Sequence, residues 1–204
     1  MTPKVVLEPT VELLTLDECR LHLRVDPLEI DSDDVGTHPD DDLIMALQAA
    51  ARQHCENFLG LSLAPYTYEI ALGEFPTDDD GAIDLPMGPV TSIVSITVGV
   101  ESDALMDPAD YLLDDFSVPN RLLPVSGTWP TPAASTNNIR IIYTAGYELD
   151  SSDGPVAPRT IVQAIKLLLA DWYAHREDVD MKLENIPNGA QALLRPHRIR
   201  LGMA

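Results

Sequence analysis

The chain has 204 residues, 45% of them hydrophobic, and a formal net charge of −20 at pH 7. This length and composition suit a globular protein with a true core, in one large domain or two small ones. The charge argues against tight binding to nucleic-acid phosphates or anionic membranes, because both need clustered Lys and Arg.

The cysteines and the terminal sequence favour a cytoplasmic origin. Cys19 and Cys55 lie on the apolar faces of predicted helices and lack metal-motif spacing, so we expect buried, reduced thiols. The sequence has no run of about 18 apolar residues that would predict a membrane span. Its first residues, MTPKVVLEPTVELL, do not resemble a secretory signal peptide.

Two helices are predicted in the N-terminal part. Thr15 and Glu18 have the spacing of a capping box, which predicts a helix over 15–25. A second helix is predicted over 41–59, with Gly60 as the residue that ends it. Its expected buried stripe is Leu43, Ile44, Leu47, Ala50, Ala51, His54, Cys55 and Phe58.

The segment between these helices, 26–42, holds eight acidic residues. We interpret it as a solvated loop whose last aspartates can cap the second helix. The alternative is a calcium loop, because Asp31, Asp33, Gly36 and Asp42 fall at four EF-hand positions. Val35 at the fifth position, and Asp rather than Glu at the twelfth, argue against it.

Alternating apolar residues and turn signals predict an antiparallel β region over about 64–148. The clearest alternation is Tyr66–Leu72. The other predicted strands are 82–85, 90–100, 110–113, 120–123 and 139–144.

The C-terminal part is again predicted helical. The longest helix is expected over 157–176, with a buried stripe of Ile161, Ile165, Leu168, Leu169 and Trp172. A short helix is expected over 188–194. The fold class is therefore α+β: N-terminal helices and a long C-terminal helix form a helical bundle, with an antiparallel β insert between them. The expected division is 1–62, 63–150 and 151–204, the first and last segments packing as one domain.

The end of the long helix, LLLADWYAHRED at 167–178, is the first candidate for chemistry. It places an imidazole, a guanidinium and two carboxylates beside two aromatic rings. His175 and Arg176 are adjacent, so on a helix they point about 100° apart, and no local carboxylate obviously orients His175. We therefore interpret the cluster as a structural helix end with Trp172 buried and His175 facing solvent. A hydrolase using His175 remains the alternative.

No other motif indicates catalysis. The sequence lacks GxSxG, HExxH, GxGxxG and GxxxxGK[ST], and its five histidines are scattered singly. We assign no catalytic, cofactor-binding or metal-binding residue. These observations favour an interaction or structural protein over an enzyme.

Charge is distributed unevenly along the chain. The last 50 residues carry only 5 acids against 7 Lys and Arg, so this segment is mildly basic. Its cationic end consists of Arg195, His197, Arg198 and Arg200. The asymmetry suggests that this end and the acidic body face different surroundings.

An ordered set of short motifs gives a resemblance to a known family. They include His22–Asp26, Asp41–Ile44, Cys55–Gly60, Pro89–Ile93, Tyr143–Tyr147, Trp172–Glu177 and Ala192–Arg198. In this order, over about residues 13–200, the chain resembles the head-tail connector (adaptor) proteins of tailed phages, in particular the longer members with a β insert. The Trp172–Glu177 stretch and the Leu-Leu-Arg-Pro-His-Arg close carry most of the resemblance.

The resemblance implies a structural virion protein without catalysis or cofactor. Such adaptors assemble as a ring, usually of twelve subunits, beneath the portal protein. They extend the DNA channel without binding the passing DNA tightly, and they join a downstream neck or tail-terminator protein. The implied location is the virion neck, after synthesis in the bacterial host cytoplasm.

The resemblance also implies roles for particular residues. An extended C-terminal segment would dock on the portal through Arg195, His197, Arg198 and Arg200. The main ring helix would be anchored by Trp172, Tyr173, Arg176 and Glu177. Acids that could line the channel are Asp31, Asp33, Asp34, Asp40 and Asp41. The remaining alternatives are a neck stopper or tail-completion protein, and an acidic inhibitor that mimics DNA.

Overall fold

The computed structural model describes residues 2–26, 36–77, 80–99, 104–131, 136–147, 149–150, 154–175 and 187–199. The chain divides into two compact units. We call the unit formed by Val11–Leu59 and Asp150–Arg198 the helical unit. We call the unit formed by Met1–Thr10, Gly60–Leu149 and Ile199–Ala204 the β unit.

In its described residues the helical unit contains four α-helices. They are α1 (Leu16–Leu23), α2 (Asp41–Leu59), α3 (Arg159–Ala174) and α4 (Asn188–Leu194), and a 3-10 turn follows at Arg195–His197. Helix α3 packs against α2, α4 and α1. All four helices were predicted, with ends that differ by at most two residues where both ends are described.

Local sequence explains how α1 begins. The Thr15 hydroxyl accepts a hydrogen bond from the Glu18 amide at 3.2 Å, and the Glu18 carboxylate accepts one from the Thr15 amide at 3.0 Å. The capping box is therefore confirmed. Two amides that the helix itself leaves without partners are satisfied by this exchange.

The buried face of α2 differs from the predicted stripe. Leu43 is 36% exposed and Ala50 is exposed, whereas Gln48, Arg52 and Glu56 are buried. The predicted stripe was wrong at Leu43 and Ala50, and it omitted Gln48, Arg52 and Glu56 because their side chains are polar. The true buried row also contains Ile44, Ala51, Cys55 and Leu59.

Over the part of the β unit that the structure describes, the strands form two larger antiparallel sheets. The first has the strand order β1 (Lys4–Leu7), β2 (Tyr66–Leu72), β8 (Ile139–Ala145), β4 (Val90–Val98) and β5 (Ala104–Leu105). The second has the order β3 (Ile83–Leu85), β7 (Asn120–Pro124) and β6 (Tyr111–Asp114). Two short strands, β9 (Leu149–Asp150) and β10 (Gly154–Pro155), follow at the boundary of the two units.

The predicted antiparallel β region is confirmed, but two of its edge strands were missed. Strands β1 and β5 lie at the two ends of the five-stranded sheet. β1 pairs with β2, which lies about sixty residues further along the chain. Such a pairing leaves no local signal, because it depends on which segments meet in the fold.

The core of the β unit is formed by the inward-facing residues of both sheets. Strand β8 contributes Ile139, Ile141, Tyr143 and Ala145, all at most 1% exposed. The alternation of buried and exposed residues along β2 and β8 explains the period-two pattern in the sequence. The Tyr143 hydroxyl is satisfied by donating to the Pro86 carbonyl at 2.8 Å.

Gly146 fixes the end of β8. Its φ is +127°, and a Cβ built there would lie 2.0 Å from the Ala64 carbonyl oxygen. This position therefore requires glycine, both for its positive φ and for the close approach of the Ala64 carbonyl. The chain is α+β with antiparallel sheets. No helix in its described part is long and apolar enough to cross a membrane.

Candidate assembly surfaces

The end of α3 is built by contacts within the helical unit. Trp172 is half-buried, and its ring meets the His54 ring edge-on at 5.7 Å and 76°. Trp172 was expected to be buried, and it is only partly so. The apolar row of α3 ends at Leu169, and the next turn faces a polar ring rather than the core.

The two neighbours of Trp172 on this last turn also have partners. The Tyr173 hydroxyl donates to the Asp40 carboxylate at 2.6 Å. His175 is exposed, as predicted, but its Nδ1 lies 3.5 Å from the Asp171 carboxylate and 2.8 Å from the Asp171 carbonyl. A carboxylate therefore does lie beside His175, contrary to the expectation, although the hydrogen bond of the ring is with the Asp171 carbonyl. Asp171 lies four residues earlier, on the same face of the helix. Arg176 and Glu177 lie outside the described residues.

Two of the five candidate channel acids lie within the described residues. Asp41 pairs with Arg20, whose Nε lies 2.9 Å from the carboxylate, and it accepts a hydrogen bond from the His38 amide at 2.7 Å. The hydrogen bond from Arg20 lowers the pKa of Asp41. Asp40 accepts from Tyr173. Both acids thus hold the start of α2 to other elements of the helical unit. Asp31, Asp33 and Asp34 lie outside the described residues.

Three of the four C-terminal cations are described. Arg195 donates to the Gln191 side chain at 3.1 Å, and His197 lies 2.8 Å from the Thr160 hydroxyl. The Arg198 guanidinium lies 5.0 Å above the Phe58 ring. Residues 195–198 were expected to belong to an extended segment. Residues 195–197 instead form a 3-10 turn, and the side chains at 195, 197 and 198 contact other residues of the helical unit. Arg200 lies outside the described residues.

A buried polar cluster on α2 was missed by the sequence analysis. Arg52 forms a two-pronged ion pair with Glu12 at 2.8 and 3.0 Å, and a further pair with Glu56 at 2.9 Å. Gln48 donates to the Leu14 carbonyl at 2.6 Å and accepts from the Cys19 thiol at 3.3 Å. The only local signal is the polar row at 48, 52 and 56, which has helical spacing and lies beside the apolar row.

Both cysteines are free and buried, as predicted. Burial raises the pKa of Cys19 to about 11 and that of Cys55 to about 12. The thiols therefore stay protonated near neutral pH, when they are weak nucleophiles and weak metal ligands. Over the described ranges, no group of three or more His, Cys, Asp or Glu side chains is placed to hold a metal ion.

The β unit exposes apolar side chains on the segment that runs from β5 to the residue after β7. Phe116 is 94% exposed and Val118 is 74% exposed, both in the loop between β6 and β7. Leu105, Leu112 and Val125 are also exposed. Patches of this kind on a folded protein usually mark contacts with other molecules.

Comparison with solved structures finds the same fold in gene transfer agent (GTA) particles. A chain from the neck of an empty particle, computed with C6 symmetry, matches with a TM-score of 0.76 at 23% identity. A chain from the native virion matches with a TM-score of 0.75 at 20% identity, and one from the native neck, computed with C12 symmetry, with 0.73 at 21%. Each alignment covers 100% of this chain and 99% of the other.

No family model and no curated protein matches the sequence. The structural likeness therefore concerns the fold, and it extends over both units. It agrees with the resemblance found in the sequence, because the matched chains come from virion necks and a GTA virion.

Proposed function

We propose that the chain is a structural neck protein that joins a DNA-filled head to a tail, and that it has no catalytic activity. The observation that carries this proposal is the full-length likeness to chains in the neck of a GTA particle. A likeness restricted to one unit would be found for any protein that contains a domain of that fold. Coverage of 100% of the chain at a TM-score of 0.76 includes both units and their order along the sequence.

The finer proposal is an adaptor that assembles as a ring beneath the portal. The two necks were computed with C6 and C12 symmetry, which agrees with a ring of twelve subunits. In this arrangement the helical unit forms the ring body, and the β unit faces the downstream neck protein. Trp172, Tyr173, Arg176 and Glu177 would lie near the contact between adjacent subunits.

The charge of the chain suits a DNA channel. Each phosphate contact made by Lys or Arg adds affinity that would slow the passage of DNA. A ring of twelve copies at −20 each repels duplex DNA instead. The candidates for lining the DNA channel remain Asp31, Asp33 and Asp34. Asp40 and Asp41 are engaged with Tyr173 and Arg20, so we propose that these two stabilise the ring body.

The same repulsion opposes association of the free subunits, so we propose that the portal acts as the template for the ring. The cationic end supports this direction of docking. Arg195 and Arg198 are exposed although each has a partner in the helical unit. Both can therefore also donate hydrogen bonds to a carboxylate of another protein while the 3-10 turn stays folded.

The proposal is tested by locating the chain in particles from its own host. We expect the purified particles to contain the chain, and electron microscopy to place it as a ring between the portal and the next neck protein. Absence from particles would refute the neck assignment. A ring separated from the portal by another protein would indicate a stopper rather than an adaptor.

A second measurement tests the channel. Isolated protein mixed with duplex DNA at about 0.15 M salt should give no retained complex, because the acids repel phosphates. Retention at nanomolar concentration would contradict a passive channel.

A further inference from the structure

We propose that the outer face of the three-stranded sheet docks a protein different from this chain, and that this partner presents an apolar pocket surrounded by Lys and Arg. We define the outer face as Leu112, Leu123 and Val125 together with the β6–β7 loop, residues 115–119. The inference rests on the proposed neck function and identifies the surface that the downstream protein would use.

Strand register places these apolar residues on one side of the sheet. Leu112 pairs with Leu123, and the next inward pair is Leu113 with Leu122. Leu122 is fully buried in the core of the β unit. Because side chains alternate along a strand, Leu112 and Leu123 point to the opposite side, away from that core. Val125 follows Leu123 by two residues and shares its direction.

The loop that carries Phe116 is held in a fixed shape. The Asp114 carboxylate accepts hydrogen bonds from the amides of Phe116 at 3.1 Å and Ser117 at 3.2 Å. It also accepts from the Ser117 hydroxyl and, at 3.1 Å, from Arg121. These interactions, the Ser117 hydroxyl first, lower the pKa of Asp114.

Asn120 secures the other end of the loop. Its amide group donates to the Asp115 carbonyl at 3.1 Å and accepts from the Val90 amide at 2.9 Å. The loop is thus tied to the main sheet through β4. The loop backbone that carries the 94% exposed Phe116 ring is thus already ordered, so little backbone entropy is lost when the ring docks.

Charges around the outer face select the partner. Asp84, Asp110 and Asp115 are exposed at its margin. Arg121, the cation on the face, already pairs with Asp114 at 3.1 Å and Asp80 at 3.5 Å. A second copy of this chain would bring acids against acids, and nucleic acid or an anionic membrane would be repelled for the same reason. A basic rim around an apolar pocket complements both features.

The direct test places a benzophenone amino acid at position 116 in the chain as it occurs in particles. Irradiation should link this position to one other protein, at a peptide with apolar residues flanked by Lys or Arg. A matched probe at Val94, which is 56% exposed on the other sheet, should not give that product. A link from position 116 to a second copy, or no link, would overturn the proposal.

A variant test measures the strength of the contact. Phe116→Ala removes a side chain that the fold does not bury, so the variant should fold normally. Particles carrying it should lose the linked protein, with the dissociation constant raised about 30-fold, as for a central aromatic contact residue. The separate variant Asp115→Lys should also weaken binding, most at low salt, because the new cation repels the basic rim of the partner.

Failure of this inference can be told apart from failure of the neck function. If the chain is absent from particles, the neck function fails. If the chain is present and Phe116→Ala particles keep their tails and all neck proteins at wild-type yield, only the docking surface is wrong.

Discussion

The two units of the molecule are stabilised in different ways. The β unit has a continuous apolar core in which thirteen buried residues from two sheets and one loop form a single cluster. The helical unit also buries apolar residues, but it buries charge beside them: Arg20, Arg52 and Glu56 are each at most 6% exposed. The charged residues connect segments that are distant in sequence, so they define which surfaces of the helices meet.

This difference has a physical reason. The ladder hydrogen bonds of a sheet fix the register of its strands, and the core then needs only apolar side chains of suitable volume. Short helices from the two ends of the chain have no such ladder. A buried ion pair contributes little net stability, but it strongly disfavours arrangements that separate its members. The helical unit should therefore be sensitive to loss of a charge, and the β unit to loss of volume.

The two tryptophans allow each unit to be followed separately. Trp172 lies in α3 of the helical unit, and Trp129 lies in the β unit, where its ring stacks on Phe75 at 4.7 Å. The chain has two Trp residues. Replacing either one by Phe gives a protein whose fluorescence reports mainly on the other unit.

The largest expected effect is that of Arg52→Ala. It removes the cation that pairs with Glu56, whose side chain is 5% exposed, and breaking a buried ion pair costs about 4 kcal/mol. Urea unfolding followed by Trp172 fluorescence should show the loss, while the Trp129 signal of the β unit should change much less.

Arg140→Ala is the matched control. Arg140 is 59% exposed and lies 4.0 Å from Glu69, so its removal should cost well under 1 kcal/mol. Replacing Arg52, Glu12 and Glu56 together by apolar residues should restore much of the stability lost in Arg52→Ala. If the triple replacement were as unstable as the single one, the loss would come from packing rather than from charge.

The second effect in size is that of Ile141→Ala. Ile141 is fully buried in the β core, and such truncations cost about 3 kcal/mol because a cavity remains. The Trp129 signal should report this loss. Its neighbour Ile142 points to the opposite side of β8 and is only partly buried, so Ile142→Ala should cost less than half as much. Equal losses would mean that the outer side of this sheet is also covered.

Sequence reasoning succeeded where the determinants are local. The capping box of Thr15 and Glu18 and the alternation along β8 each depend on residues within a few positions. They require no knowledge of which other segments are near. The exposure of His175 followed from its place at the helix end in the same way.

Sequence reasoning failed where the interaction partner of a side chain is distant in the sequence. Tyr173 and Asp40 are separated by 133 residues, and Arg52 and Glu12 by 40. A polar residue on a helix looks solvent-facing until a distant carboxylate is placed against it, which is why the α2 stripe was wrong. The candidate docking loop was missed for a related reason. Phe116 looks like an ordinary apolar residue between strands, and only the fold shows that the core leaves it outside.

Trp172→Ala tests the corrected position of this residue and ranks third. Full burial of a Trp would make truncation cost about 4 kcal/mol. Half-burial against His54 reduces the expected loss to about 2 kcal/mol. A thermal melt followed by circular dichroism measures it, with Trp172→Phe as the control that keeps an aromatic ring. A loss as large as that of Arg52→Ala would mean that α3 is held mainly by this ring.

The smallest effect is expected for Thr15→Ala, which removes the hydroxyl of the capping box. The Glu18 amide then depends on water, and N-cap substitutions of this kind cost about 1 kcal/mol. Because Glu18 also lies 3.6 Å from Lys166 of α3, part of the loss reflects how α1 is positioned on that helix. Thr15→Ser keeps the hydroxyl and should retain nearly all of the stability. Urea unfolding of both variants, followed by Trp172 fluorescence, distinguishes the contribution of the hydroxyl to stability from that of the methyl group. If Ser and Ala were equally unstable, the methyl contact rather than the cap would set the start of α1, and the helical unit would depend less on specific polar contacts than its buried charges indicate.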